Sequence, residues 1–505
     1  MKVTFVQSEC ESLSIAQISS LLKKHGHEVE LAFDPRVFDS TEIRSKGLSK
    51  LFNIEKELID AVVNSKPDIV AFSVFTYNYQ WSLRIAQRIK EKENIPIIFG
   101  GVHATVVPEK VISERCVDIV CVGEGEEAIL ELLENMHKPS MYNIRNLWFR
   151  RNGEIIKNPL RPLIQNLDGL PFPDRELFYT KEPYLKKHYF LLTGRGCPFA
   201  CTYCATSAIK STYKGLGCYL RLRSVENVIA ELKWAKNKFH PQTIAFVDDV
   251  FTTNINWIKE FTEAYRREIN IPFDCGVHPN MINHEMLRIL QNSGCRFFGI
   301  GVQSVSEHTR IQVLKRAGSN QKIVEFAKAC HDLNMKYSVD HIFNFPAEGI
   351  NEQEEALRFY NSIRPTVINT FWLTYYPKTE IITIAKNAGL IDDTTEELIN
   401  LGKASTSLMV GIGGEYSFDK KVRYRNYAFL FMLLTLLPQK WMQRIIDNNW
   451  LRKLEPPFIV NIIIKTFVRI KIGRFRDFYG LLEMLIYRIT HNLKVKILKR
   501  YKLSK

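Results

Sequence analysis

Short apolar runs, each followed by a helical stretch, recur along most of this chain, and that alternation limits the fold more than any other feature. In the first 140 residues the runs fall at 3–7, 29–32, 69–74 (IVAFSV), 97–99 and 119–122, with a helix expected over 15–25. The later runs are almost continuously apolar, as strands buried on both faces must be. Their order predicts a doubly wound, Rossmann-like parallel sheet over residues 1–140. A hairpin is expected around Asn152-Gly153, and the proline-punctuated stretch 167–174 reads as an extended connector, so residues 141–185 are a hairpin and linker. Between 186 and 400 six further runs alternate with helices, at 190–193, 243–247, 273–277, 297–302, 337–343 and 370–374. They predict a partial (β/α)6 barrel with its chemistry at the C-terminal strand ends. Residues 401–505 are expected to form a basic helical region. A chain of 505 residues is too long for one core, which fits this α/β division into two main domains and a tail.

Ten cysteines are present. Cys10, Cys116, Cys121, Cys218, Cys275, Cys295 and Cys330 are scattered and read as ordinary reduced thiols. Cys197, Cys201 and Cys204 lie within eight residues as C-x3-C-x2-C, directly after a barrel strand. Thiolates are soft ligands suited to iron–sulfur clusters, and this spacing lets one loop wrap one [4Fe–4S] cluster. A zinc site with Cys218 as fourth ligand would need a second cysteine pair, which the sequence lacks.

Three strands of the first domain end in candidate ligand loops: Ser73-Val74-Phe75-Thr76, Gly100-Gly101-Val102-His103 and Gly123-Glu124-Gly125-Glu126. Open parallel sheets bind ligands at these ends, and glycine would let backbone approach a large flat ligand. In the barrel, Asp248-Asp249 closes the second strand as paired carboxylates, suited to substrate binding, proton transfer or a share in a cofactor shell. The formal charge of +15 sits in the tail: residues 416–505 carry 20 Lys+Arg against 5 Asp+Glu. The rest of the chain is neutral, which speaks against a nucleic-acid surface. The tail reads either as a helical cap over the barrel or, in segments such as 458–470, as an interfacial helix drawn to anionic lipid. No N-terminal run has the apolar core of a signal peptide, and the apolar run 428–437 is about half of a membrane span. The expected location is cytoplasmic, with peripheral contact at the inner membrane face left open.

IIFGGVHATVVPEKV followed by VDIVCVGEGEEAILELL resembles the cobalamin (B12)-binding domain fused to class B radical S-adenosylmethionine (SAM) enzymes. GRGCPFACTYC resembles the cluster loop of the same family. The resemblance implies that Ser73, Phe75, Thr76, Gly100, Gly101, His103 and the run Gly123, Glu124, Gly125, Glu126 line the cobalamin site. Better-known cobalamin proteins carry Asp-x-His-x-x-Gly after the first strand. This chain has Ser8-Glu9-Cys10-Glu11-Ser12 there and so supplies no histidine to cobalt from that loop. The resemblance further implies that the cysteines leave one iron for SAM, that the Tyr203 backbone meets adenine, that Gln303 and Arg316 approach SAM, and that Asp340 meets the ribose. The same three polar residues also suit plain roles, as a strand-end acceptor, a surface cation and a helix cap. Tyr375, Tyr376 and His341 suit either the barrel mouth or its wall. Two positions depart from the family pattern: Gly276 replaces a ribose-binding carboxylate, and Lys378 replaces a glycine. The implied reaction is methylation of an unactivated carbon in a small hydrophobic or natural-product-like substrate. One SAM would methylate cobalamin and a second would yield the 5′-deoxyadenosyl radical, with flavodoxin or ferredoxin as electron donor. Radical cyclisation or rearrangement, as in the anaerobic magnesium-protoporphyrin ester cyclase, is the alternative. A non-catalytic cobalamin sensor or carrier is the reading from another class, and the intact cysteine triad argues against it.

Overall fold

The computed structural model describes residues 1–39, 45–404, 418–448 and 483–496, with three further helical positions at 464, 467 and 468. Its first sheet has seven strands: β1 (Lys2–Ser8), β2 (Glu28–Asp34), β3 (Ile69–Ser73), β4 (Ile97–Gly100), β5 (Ile119–Cys121), β6 (Leu147–Arg151) and β7 (Glu154–Lys157). They lie in the order β2-β1-β3-β4-β5-β6-β7. β1 to β5 pair in parallel, and the order reverses between β1 and β3, as in doubly wound sheets. Helix Leu13–Lys24 starts at Ser12, whose hydroxyl accepts the Ile15 N–H at 3.3 Å. The hairpin β6–β7 adds two antiparallel strands to this sheet. Its turn places Asn152 at φ 51° and Gly153 at φ 85°, the twist that a two-residue hairpin loop needs.

The second sheet is built from β8 (His188–Leu191), β11 (Thr243–Phe246), β12 (Phe273–Val277), β13 (Cys295–Gln303), β14 (Lys336–Phe343) and β15 (Val367–Trp372), with β9 (Gly194–Arg195) and β10 (Arg221–Leu222) forming a small antiparallel ribbon beside it. The six strands pair in parallel in chain order, and β8 and β15 are its two open edges, so the barrel is partial. The last strand begins three residues before the expected 370. The run TFWLT draws attention by its aromatic residues, but pairing with β14 already starts at Val367 and Ile368, opposite Ser338 and Val339, and runs on to Trp372 opposite Phe343. Aromatic packing pins helix Ile255–Glu268 to the strands: Phe246 meets Phe261 edge-on at 5.3 Å and Phe273 at 5.2 Å. Each such contact contributes about 0.5–1.5 kcal/mol beyond area burial.

Helix Phe418–Leu436 lies against helix Ile350–Ile363 and β15. Phe431 stacks on Phe343 at 5.8 Å, and Tyr424 meets Trp372 edge-on at 5.3 Å. Much of the apolar run at 428–437 is therefore packing for the flank of the barrel. Farther on, residues 483–496 form a helix that returns to the first domain: Arg488 donates to the Glu9 carbonyl at 2.6 Å, and Asn492 to the Phe52 carbonyl at 2.9 Å. Segment 458–470, the candidate interfacial helix, lies almost wholly outside the described residues. No helix among the described residues is long and apolar enough to cross a membrane.

His341 takes the wall rather than the mouth. It is 1% exposed, with Nδ1 3.0 Å from the Tyr360 hydroxyl, Nε2 2.8 Å from Gln353 Oε1, and Phe431 edge-on against its ring. Burial lowers its pKa from 6.5 to about 4. Its folded value thus lies below its unfolded value. The stability it contributes is present above pH 6.5 and is lost as pH falls towards 4, by up to about 1.4 kcal/mol per unit. His341→Gln is expected to be less stable than the native chain at pH 7 and to lose less on acidification. Urea midpoints at pH 7 and pH 4.5 check this; a gap between the two proteins that does not narrow at low pH would refute it.

Candidate functional site

The cysteine loop leaves β8 and is held from three sides. At its start, the Asp248 carboxylate accepts the Thr193 N–H, the Thr193 hydroxyl and the Gly194 N–H, each at 2.9 Å. Burial outweighs those bonds and raises the Asp248 carboxyl to about 6. In its middle, the Thr202 N–H donates to the Leu314 carbonyl at 3.0 Å and its hydroxyl to the Val313 carbonyl at 2.8 Å, while Ile381 N–H donates to the Thr202 carbonyl. At its end, Cys204 precedes helix Ala205–Thr212, and Ser207 donates to the Cys201 carbonyl at 2.9 Å. Sequence spacing brings the three thiols together, and these contacts preset the loop that carries them.

Cys201 is buried, and Arg316 Nη1 lies 3.7 Å from its sulfur. Burial pushes the Cys197 thiol up to about 11 and raises that of Cys201 against the pull of Arg316. Iron would supply the positive charge that turns such thiols into thiolates. Among the described residues no group of three Cys, His, Asp or Glu side chains closes on a single ion. A cluster sets each thiolate on its own iron and asks for a wider triangle.

Beside Cys201, the ends of β13 and β14 bring three expected residues together. Arg316 donates to the Gly301 carbonyl through Nε (3.0 Å) and Nη2 (2.6 Å). Gln303 follows a register shift and adopts φ 68°, and its buried Oε1 has no hydrogen-bond partner among the described residues. Asp340 sits opposite Gly301, accepts Asn369 Nδ2 at 2.9 Å, and has its carboxyl raised by burial. An orphaned amide oxygen and a half-used carboxylate beside the cysteine loop fit a polar ligand such as SAM. Tyr203 turns its ring onto Phe345 at 5.6 Å, in the core beneath the loop. Lys378, in the glycine position, adopts φ 59° in a turn closed by Thr379 N–H on the Tyr376 carbonyl. The glycine-type backbone is kept at a cost of about 1 kcal/mol. An added Cβ at Gly276 would meet only the Asp248 carbonyl, at 3.9 Å, so the place of the missing carboxylate is open.

A cavity of about 570 Å³ lies between the two sheets. Ser73, Phe75, Gly100, Gly101, Gly123, Glu124, Gly125 and Glu126 line it from the first sheet, and Gly194, Arg195, Gly196, Tyr213, Tyr219 and Asp249 from the barrel side. Thr76 and His103 do not reach it. Thr76 Oγ1 is 3.1 Å from His103 Nδ1, and the fully buried imidazole packs on Tyr79 at 4.3 Å. The chain turns both inward after the strand, and burial lowers His103 to about 4. The two glycines with left-handed backbone also serve the chain itself. At Gly101 (φ 95°) a Cβ would meet the Val74 backbone at 2.9 Å, and at Gly123 (φ 86°) it would collide with the Tyr213 hydroxyl. Glu124 and Glu126 spend their carboxylates on arginines: Arg195 reaches both, and Arg221 Nη1 lies 2.9 Å from Glu124 Oε1. Only Gly125 and Gly100 are free of such duties among the loop glycines. The acidic pair Asp248-Asp249 divides: Asp248 holds backbone, whereas Asp249 lines the cavity with no hydrogen-bond partner among the described residues.

Arg195, Arg221 and Tyr213, which join the two walls, carry no local sequence signal of that role. Arg195 stands in the quoted cluster loop, but nothing nearby in sequence names its partner. The cavity is roomy, largely apolar in lining, and faced by glycine-bearing strand ends, which fits a large flat cofactor such as cobalamin.

Two family models match the chain. Residues 3–133 match the B12 binding domain family, and residues 191–360 match the radical SAM superfamily. An uncharacterized methyltransferase of Pyrococcus horikoshii is 28% identical over 323 residues, covering 62% of this chain and 68% of the relative. The anaerobic magnesium-protoporphyrin IX monomethyl ester cyclase of Rubrivivax gelatinosus is 22% identical, covering 64% of this chain and 59% of the cyclase. Among solved structures, the radical SAM methyltransferase TsrM from Kitasatospora setae, with cobalamin and a [4Fe-4S] cluster bound, superposes with a TM-score of 0.62 at 16% identity, over 78% of this chain and 79% of that one. The cobalamin-dependent radical enzyme OxsB, with aqua-cobalamin and SAM bound, gives 0.62 at 18% identity, over 99% and 80%.

Proposed function

This chain belongs to the radical SAM enzymes that carry a B12-binding domain, and from that premise we propose that it transfers a methyl group to an unactivated carbon of a small substrate. One observation carries the reading: a single cavity is walled by the glycine-bearing ends of the first sheet and by the strand ends that launch the cysteine loop. When bound, cobalamin supplies the methyl group, and the cluster with SAM supplies a 5′-deoxyadenosyl radical. The chain does the rest. Cys197, Cys201 and Cys204 would hold the cluster. Gln303 Oε1, Arg316 and Asp340 would orient SAM, and the Tyr203 backbone would border its adenine. Ser73, Phe75, Gly100, Gly101 and Gly123–Glu126 would wall the cobalamin. The apolar residues around the cavity exclude water from the radical. Substrates of hydrophobic character suit that lining. Electrons from a flavodoxin- or ferredoxin-type donor and peripheral membrane contact through the tail complete the proposal. The Rubrivivax relative supports a second reading, radical cyclisation.

The test needs no known substrate. The protein, reconstituted anaerobically with iron, sulfide and cobalamin and then reduced with SAM, is expected to release 5′-deoxyadenosine and S-adenosylhomocysteine. 5′-Deoxyadenosine alone would favour cyclisation, and neither product would overturn enzymatic function. Asp249 adds a prediction. Its carboxyl is raised by burial and lines the cavity near Cys197. Asp249→Asn keeps the shape and removes the charge, and it is expected to slow 5′-deoxyadenosine release by about tenfold or more at unchanged iron and cobalt content. Equal rates would show that this carboxylate has no part in the site.

A further inference from the structure

The loop Gly123–Glu126 and the cysteine loop belong to different domains, yet one carboxylate grips both. Arg195, two residues before Cys197, sets Nη1 2.9 Å from Glu124 Oε1, and its other nitrogen pairs with Glu126. Arg221, on the strand paired with Arg195, sets Nη1 2.9 Å from Glu124 Oε1 and 3.1 Å from Oε2. Glu124 Oε2 also accepts the Ile164 N–H from the connector at 2.9 Å, and the Glu124 N–H donates to the Tyr213 hydroxyl at 2.7 Å. The Arg221 and Glu126 side chains are 5% and 6% exposed, and that of Glu124 is 16% exposed. Charge pairs taken this far from water gain little net stability, because desolvation offsets attraction. What they do supply is geometry: Arg195 spans Glu124 and Glu126 with its two Nη atoms, and Arg221 Nη1 is shared by both Glu124 oxygens and the Ile164 carbonyl, so little movement is tolerated.

We propose that Glu124 is a positioning residue: it locks the cysteine loop to the glycine-loop wall and so fixes the separation of the cluster from cobalamin. This rests on the two-cofactor reading above. Nothing in the network touches the sulfurs, so the effect is on placement and not on ligation.

The test uses the full chain, reconstituted anaerobically with iron, sulfide and cobalamin. Glu124→Gln is compared with Glu182→Gln, another buried carboxylate that holds an arginine, Arg488, away from the cysteine loop. Iron and cobalt contents are measured first. Then hydrogen exchange of residues 194–204 is followed, together with the magnetic interaction between the reduced cluster and cob(II)alamin by electron paramagnetic resonance. Glu124→Gln is expected to keep iron and cobalt, to speed exchange in that loop by about tenfold, and to weaken the spin interaction. Glu182→Gln is expected to change neither. If Glu124→Gln does not accumulate as folded protein, Arg221→Lys, which keeps the charge but loses the guanidinium nitrogen shared by Glu124 and the Ile164 carbonyl, is expected to shift both readouts the same way. Native exchange and native spin interaction in the folded variant overturn the proposal, as do equal shifts in both carboxylate variants. A native protein that takes up no cobalt or no iron fails the two-cofactor reading itself, and the proposal falls with it.

Discussion

Cys201→Ala is expected to lose most of its iron and to release no 5′-deoxyadenosine above background, while staying folded and keeping its cobalt. Three thiolates for a four-iron cluster leave no spare, and two cannot hold it against competing thiols in solution. The fold should survive because the change removes one buried sulfur, a loss of about 1 kcal/mol. The loop around it is held by other groups: Thr202 to Val313 and Leu314, and Ser207 to the Cys201 carbonyl. Cobalt should stay because the cavity walls are untouched. Cys218→Ala is the matched control. Cys218 is exposed and its thiol donates to the Leu220 carbonyl at 3.1 Å, so its removal should leave iron and turnover at native levels. Iron by colorimetry, cobalt by emission spectroscopy and product by chromatography decide the matter. Iron retained by Cys201→Ala would place the cluster elsewhere, and iron lost by Cys218→Ala would make Cys218 one of its ligands.

The framework was legible because its signals are local. Continuous apolar runs mark β3, β4 and β5, Asn152-Gly153 marks the hairpin, and C-x3-C-x2-C marks the cluster loop. Orientation beyond a strand end was not legible, because no period continues into the loop. Thr76 and His103 follow strands as Phe75 and Gly101 do, yet they fold inward while their neighbours line the cavity. Asp248 and Asp249 are adjacent, lie past the end of β11 at Phe246, and take opposite duties. Gly101 and Gly123 line the cavity, and neighbours far off in sequence, Val74 and Tyr213, also leave no room for a side chain there. The pairs that join the domains are long-range by nature, 71 residues apart for Arg195 and Glu124 and 164 for Arg175 and Glu11. Composition and spacing hold no record of such pairs.

Arg175→Met is expected to cost about 3–5 kcal/mol, the largest stability effect of any single change proposed for this chain. Arg175 and Glu11 are 1% and 3% exposed, with Nη1 2.7 Å from Oε1. The guanidinium also donates to the Phe190 carbonyl on β8 and lies 4.8 Å over the Tyr189 ring. Glu11 stands in the loop after β1, and Arg175 ends the connector, so one buried pair joins the first sheet, the connector and the barrel. Methionine fills much of the arginine volume, so packing loss is small. What remains is a buried carboxylate whose second oxygen already lacks a partner among the described residues. Glu11→Gln in the Arg175→Met background removes the stranded charge and should recover at least half of the loss at pH 7. Urea midpoints of the native chain, the single variant and the double variant at pH 7 supply the cycle. A single variant that loses under about 1 kcal/mol, or a double variant no more stable than the single, would mean that water reaches Glu11 and that the pair does not hold the domains together.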